Sequence, residues 1–314
     1  MIWLVGAKGM LGTDLALALS SCGLNWVGTD RDLDIRDPGL LRRFASGKAF
    51  RWIVNCAAYT AVDKAESEPA RAAELNVEGP QNLARLANAL GARLLHLSTD
   101  YVFSGDATRP YREEDPILPR SVYGHTKAEG EAKVRESLPR AVIVRTAWLF
   151  GEHGSNFIYT MLRLMRQKDQ LGVVTDQIGS PTWTVDLAAA IIRILQASEP
   201  KYGTYHFTCA GETSWYEFAK EILRLGRECG IVDKDCTIRA ISSAEYPAVA
   251  KRPSYSVLSK EKIIRDYGVA VPDWRKSIEQ FLKNISRSFA EDLEADQAIT
   301  WDAWLNARSR LLSA

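Results

Sequence analysis

Met1-Ile2-Trp3-Leu4-Val5-Gly6-Ala7-Lys8-Gly9-Met10-Leu11-Gly12 opens the chain and decides its fold class. A short apolar run meets glycines at Gly6, Gly9 and Gly12, and Leu11, Leu15 and Leu19 then recur at helical spacing. Strand, glycine turn and helix follow one another in the order a dinucleotide site requires. Glycines let the backbone turn tightly and approach a pyrophosphate, while a helix N-terminus offers unpaired N–H groups and the positive end of its dipole. A GxxGxxG string alone often marks a mere turn; its position after a strand and before a helix makes it a nucleotide loop.

The same alternation continues outward. Residues 26–29 read as a second strand ending in Asp30-Arg31. An acid at this distance from the glycines suits the ribose 2′-hydroxyl of NADH, and an adjacent arginine suits the 2′-phosphate of NADPH, so both cofactors stay open. Asp34-Ile35 sits where an adenine ring would be flanked; a charged turn is the competing reading. Residues 52–55 form a third buried strand running into the small residues Cys56-Ala57-Ala58-Tyr59-Thr60, which leave room for a ligand at a strand's C-terminal end. Helical periodicity covers 72–77 and 80–90, a fourth strand delivers Ser98-Thr99, and 141–146 is a fifth strand. The expected fold is α/β, a doubly wound parallel sheet (Rossmann-type) with a smaller interleaved C-terminal substrate domain. Residues 1–155 form the dinucleotide-binding part, to which about 171–205 returns as a strand and a helix. Residues 156–283 form the substrate domain and 284–314 an extension. In that extension Ile299, Trp301, Trp304, Leu305, Leu311 and Leu312 mark an amphipathic helix that packs on its own domain, with a docking surface, which would favour a binding subunit, as the competing reading.

Composition excludes several function classes. The 314 residues carry a net charge of +1, which gives no electrostatic reason to expect nucleic acid or an anionic membrane. The 5 cysteines show no CxxC spacing and the 4 histidines no ligand-spaced pair, so a reducing compartment is expected and a protein-bound metal is not. No apolar run approaches the ~20 residues of a membrane span, and the start has no basic leader, so a cytoplasmic protein is expected.

The chemistry concentrates between Leu97 and Lys127. Ser98 and Thr99 end an apolar run, and Tyr123 and Lys127 stand at i, i+4, which puts phenol and ammonium on one helix face. A nearby cation favours the phenolate, so the phenol is expected to fall toward neutrality and to hand a proton to a developing alkoxide. Tyr216 and Lys220 repeat the spacing without that context.

An ordered set of strings resembles the dTDP-4-dehydrorhamnose reductase family of extended short-chain dehydrogenase/reductases. It comprises Gly6-x-x-Gly9-x-x-Gly12, the run from Asn55 to Glu66, the run from Leu97 to Phe103, Tyr123-Gly124-x-x-Lys127, Arg145-Thr146-x-Trp148, Asn156-Phe157, Asp176-Gln177-x-Gly179-x-Pro181-Thr182 and Arg252-Pro253. The resemblance implies a catalytic triad of Thr99, Tyr123 and Lys127. It implies cofactor contacts, NADPH or NADH, from Gly6, Gly9, Met10, Leu11, Gly12, Asp30, Arg31, Asp34, Ile35, Ala58, Tyr59, Thr60 and Leu97, with Tyr123 and Lys127. Contacts to a nucleotide-sugar substrate fall on Thr99, Asp100, Trp148, Asn156 and Arg252, and a homodimer is an admitted assembly. Some members join subunits through a divalent ion held by an acid just past the Pro-Thr pair. Here Trp183-Thr184-Val185 stands there and Asp186 follows, so no metal is carried over. Dehydratases resembling this chain place an Asp-Glu pair after the threonine, whereas Asp100-Tyr101 stands here, which favours reduction. Two alternatives remain, another nucleotide-sugar epimerase or reductase and a non-catalytic regulatory subunit resembling that of methionine adenosyltransferase.

Overall fold

A computed structural model describes residues 1–295 and 298–310. Its frame is a six-stranded parallel sheet made of β1 (Ile2–Val5), β2 (Trp26–Thr29), β3 (Trp52–Asn55), β4 (Arg93–Thr99), β5 (Ala141–Thr146) and β6 (Gly203–His206), in spatial order β2-β1-β3-β4-β5-β6. A parallel sheet needs both faces covered, and these strands read accordingly as near-continuous apolar runs. Ile2 and Leu4 face one core with Val54, Leu95 and Val142, and Trp3 and Val5 face the other with Ile53, Leu94 and Ile143. On the first face lie α1 (Met10–Ser21) and α6 (Thr184–Gln196). On the second lie α2 (Pro38–Ala45), α3 (Gly79–Leu90) and α4 (Val122–Ser137). Each fully buried Leu, Val or Ile here stabilises the fold by roughly 2 kcal/mol. The strand order reverses between β1 and β3, which places a ligand crevice at their C-terminal ends.

A separate apolar core joins α5 (Phe157–Gln167), α7 (Trp215–Glu228), α8 (Trp274–Ala295) and α9 (Trp301–Arg310). Two expectations need correction here. The strand expected near 172–175 spans Gln170–Val174 and pairs in parallel with Thr237–Ile241 instead of returning to the main sheet. Edge pairing with a distant segment leaves no periodicity to read, which is why the sequence did not disclose it. The boundary at 284 falls inside α8, whose apolar stripe continues without a break. The extension folds back on this core: Trp304 and Leu305 are buried, Trp301 stacks on Phe289 at 3.7 Å, and Trp304 Nε1 donates to Asp292 at 2.6 Å. Leu311 and Leu312 lie outside the described residues. None of the described helices is long and apolar enough to cross a membrane.

Candidate active site

The glycine loop forms the floor of the crevice. Gly6 adopts φ +78°, and a Cβ there would lie 2.8 Å from Ala57 N at the end of β3. A Cβ on Gly12 would lie 2.0 Å from the Gly6 carbonyl oxygen, so any side chain would push α1 off the turn. Gly9 caps α1 without a side chain, which leaves the first-turn N–H groups beginning at Met10 and Leu11 pointed at the crevice. These observations fit a dinucleotide pyrophosphate. At the end of β2, Asp30 accepts the Lys8 N–H at 2.9 Å and the Arg31 N–H at 2.9 Å, so its carboxylate fastens the glycine loop. Asp34 is grasped by Arg36, whose guanidinium also reaches Glu74 at 2.6 Å, and the Arg36 contact holds the Asp34 carboxyl below its usual range. Ile35 is buried against Gly79. Ala58 is half-buried and Thr60 exposed, while the Tyr59 backbone is gripped from both sides by Asn76, at 2.9 and 3.1 Å. Asn76 occupies a π-helical turn (Glu74–Glu78) and also donates to Thr126 of α4. No periodic signal announces that turn; a polar residue inside the apolar stretch Leu75-Asn76-Val77 was its only mark.

The catalytic candidates converge on the next crossing. Ser121 caps α4, its hydroxyl accepting the Gly124 N–H at 3.1 Å, and so sets Tyr123 in the first turn. Thr99 ends β4 and donates to Asp100 Oδ1 at 2.9 Å, with its hydroxyl beside the Tyr123 phenol. Tyr123 is 9% exposed and meets the Tyr101 ring edge-on at 5.4 Å. Lys127 is buried, its Nζ donating to the Leu97 carbonyl at 2.7 Å.

Here the expected electrostatics are overturned. Burial pushes the Tyr123 phenol up to about 12, with Thr99 pulling against it and Asp100 adding to it, a net shift opposite to the one expected from Lys127. Burial also brings Lys127 down to about 8 against the pull of Glu131. Removing a charge from water outweighs the short spacing, and the ammonium is turned toward the strand. The phenol is therefore fully protonated at neutral pH, the state a proton donor needs.

Beyond Thr99 stand Asp100 and Trp148, linked through Ser256 and Gly179. Asp100 is buried and raised to about 6 by that burial, with the Ser256 hydroxyl and Thr99 opposing the rise. Trp148 has φ +49°, a strained conformation for a bulky residue, and its half-buried indole stacks on Trp215 at 3.5 Å. Gly179 makes this possible, since a Cβ there would lie 2.6 Å from the Trp148 ring and 2.9 Å from Ser256 Oγ. Arg252 donates to Asp63 at 2.8 Å and acts on Tyr101, while its buried Nε has no hydrogen-bond partner among the described residues. The Asn156 side chain caps α5 through the Tyr159 N–H at 3.1 Å and donates to the Gly151 carbonyl at 2.8 Å, a structural role. Asp186 is likewise engaged, accepting from Ser277 at 2.6 Å and from the Cys209 thiol at 3.5 Å. Sequence reading missed Trp215, Ser256, Asp63 and Asn76, whose roles depend on contacts across distant elements.

Comparison with known proteins bears on the same geometry. The family model described as the RmlD substrate binding domain matches residues 1–287. A dTDP-4-dehydrorhamnose reductase of Aggregatibacter actinomycetemcomitans is 42% identical over 294 residues, covering 92% of this chain and 98% of that protein. The chain belongs to the dTDP-4-dehydrorhamnose reductase family. A solved member from Bacillus anthracis, in complex with NADP, superposes with a TM-score of 0.84 at 36% identity, covering 90% of this chain and 98% of that one. A Streptomyces antibioticus protein named as a probable dTDP-4,6-dihydroxy-2-methyloxan-3-one 4-ketoreductase is 42% identical, covering 91% of this chain and 96% of that one. The Aggregatibacter and Streptomyces relatives are equally similar to this chain and are named for different keto sugars.

Proposed function

We propose that this chain reduces the 4-keto group of a nucleotide-linked deoxysugar with NAD(P)H, with dTDP-4-dehydro-L-rhamnose as substrate and dTDP-L-rhamnose as product. The supporting observation is the meeting of Thr99, Tyr123 and Lys127 at the C-terminal end of β4, beside a glycine loop shaped for a dinucleotide. Gly6, Gly9, Met10, Leu11 and Gly12 hold the pyrophosphate, Asp30 and Arg31 the adenosine ribose end, and Asp34, Ile35 and the Ala58-Tyr59-Thr60 segment the walls around it. When bound, the reduced nicotinamide supplies hydride. Tyr123 donates the proton that the forming alkoxide needs, Thr99 hydrogen-bonds the carbonyl oxygen, and Lys127 holds the cofactor ribose and stabilises the phenolate left behind. Leu97 orients Lys127 through its carbonyl. Asp100, Trp148 and Arg252 line the sugar side.

A binding subunit without chemistry has no use for a buried lysine beside a buried phenol, because each ionisable group costs stability when taken from water. The extension that favoured such a subunit is taken up by packing on its own core. Purified protein is to be mixed with dTDP-4-dehydro-L-rhamnose and NADPH or NADH, with loss of reduced cofactor followed and the product identified by mass and NMR. One equivalent of sugar reduced per cofactor is expected. Failure to oxidise either cofactor would overturn the reading.

A further inference from the structure

We infer that Glu131 is a positioning residue for this reduction: clamped by Arg145 from the sheet below and one turn from Lys127 on the same buried helix face, it is the counter-charge that favours the Lys127 ammonium. This rests on the reductase reading and goes beyond the residues that touch cofactor or sugar.

The starting observation is a polar ladder where a parallel sheet is ordinarily apolar. Across neighbouring strands Asn55 of β3 lies in register with His96 of β4, Ser98 of β4 with Arg145 of β5, and Arg145 with His206 of β6. All five are buried, Arg145 at 1% exposure. Asn55 donates its amide to His96 Nδ1 at 3.0 Å, and Arg145 lies 3.4 Å from His206 Nε2. Above the ladder runs the inner face of α4, with Tyr123, Lys127 and Glu131 one turn apart. Arg145 grips Glu131 with a two-pronged pair, Nε to Oε1 at 2.8 Å and Nη2 to Oε2 at 2.7 Å, and Arg135 adds a third contact at 3.1 Å.

Stability does not account for this arrangement. A fully buried ion pair recovers its desolvation cost only with good geometry, and well-packed apolar residues often serve a core as well or better. Lys127 supplies the missing reason. The titratable and charged groups facing it are Tyr123, Glu131 and, further along, Arg135 from its own helix, Cys56 from the end of β3, His96 from β4, and Arg145 from β5 through Glu131; Asp100 and Tyr101 face Tyr123 instead. Tyr123 is protonated, burial raises the Cys56 thiol to about 12, and His96 is held neutral by burial and by Lys127. Glu131 is the anion of the set. Burial would raise its carboxyl, yet Arg145 brings it down to about 2, so it stays charged throughout the working range. The guanidinium thus fixes the carboxylate one turn from Lys127, and the negative charge held there favours the ammonium that donates to the Leu97 carbonyl.

The test is the pH profile of Glu131→Gln measured on the full chain with saturating cofactor. Lys127 is charged below about 8, and Glu131 favours that charge, so removing the carboxylate lowers the pH at which the ammonium is lost. A fall of the alkaline limb from about 8 to about 7 would cut kcat/KM roughly fivefold at pH 8 and by little at pH 6. Because Glu131→Gln leaves Arg145 buried without its carboxylate, the double change Glu131→Gln with Arg145→Met is measured beside it. The double change removes the guanidinium together with the carboxylate, so a limb displaced in both variants ties the shift to the lost carboxylate and not to an unpaired Arg145. The Lys127 ammonium is also titrated by NMR of lysine labelled at Nζ, which does not depend on turnover. A limb and an NMR titration both displaced to lower pH support the role, and Glu131→Asp is expected to restore part of the displacement. An unchanged Lys127 titration, or activity reduced by one factor at every pH in step with the folded fraction, would overturn it. If the unmodified chain oxidises neither cofactor with the keto sugar while Lys127 titrates as expected, the reductase assignment fails and not the electrostatics.

Discussion

Tyr123 and Lys127 share their spacing with Tyr216 and Lys220, and the two pairs behave in opposite ways. Lys220 lies on the surface of α7, 5.2 Å from the Tyr216 ring centre and paired with Glu217 at 3.2 Å, in water that screens every one of these contacts. Lys127 is 2% exposed, aimed at the Leu97 carbonyl, and burial has brought it to about 8. Identical residues at identical spacing therefore give a solvated helix face in one place and a perturbed pair in the other. The difference comes from what lies under the helix: β4 with a carbonyl turned to the ammonium beneath α4, an apolar core beneath α7.

The comparison can be broken most directly at the phenols. Tyr123→Phe keeps the ring and removes the proton donor, with an expected loss of about 10²- to 10⁴-fold in kcat and little change in sugar KM; Tyr216→Phe is expected to stay within about twofold. Steady-state kinetics on the two variants decide it, and equal rates would erase the distinction.

The lysines sharpen it further, since stability and activity should move in opposite directions. A lysine whose folded value is depressed penalises folding at pH below that value, and the penalty fades as pH rises from about 8 toward the ordinary 10.5. Lys127→Met is thus expected to abolish most activity yet add on the order of 2 to 3 kcal/mol of stability at pH 7, with the gain shrinking above pH 9. Lys220→Met should change neither by more than about 0.5 kcal/mol. Denaturant melts at pH 7 and pH 10 provide the measurement.

The smallest effect belongs to the aromatic wall. Trp215→Ala removes the partner of Trp148 and about 0.5 to 1.5 kcal/mol of stacking, so sugar KM should rise by roughly two- to tenfold while kcat at saturation changes less. A loss confined to kcat would place Trp215 with the chemistry rather than with the sugar.

Some of this was legible and some was not. The strands from β1 to β5 announced themselves as apolar runs, because a strand buried on both faces has no other composition open to it. The glycine loop was legible because only glycine fits a backbone turn at φ +78° where a Cβ would lie 2.8 Å from another chain segment. The helix cap made by Asn156 was not legible beside its expected sugar contact, because both uses draw on the same amide. The pairing of Gln170–Val174 with Thr237–Ile241 left no trace, since parallel partners are chosen across long stretches of chain.

By itself the sequence determined the alternating strand and helix plan, the nucleotide loop at the switch point, and the membership of Thr99, Tyr123 and Lys127 in one family pattern. These follow from local rules: periodicity, glycine geometry and spacing along one helix. Only the tertiary structure decided which of two Tyr-Lys pairs is buried, that the phenol is raised and not lowered, and that Arg145 clamps Glu131 one turn from Lys127. Ionisation depends on desolvation and on charges brought together from distant strands, and neither is a property of neighbouring residues in the chain.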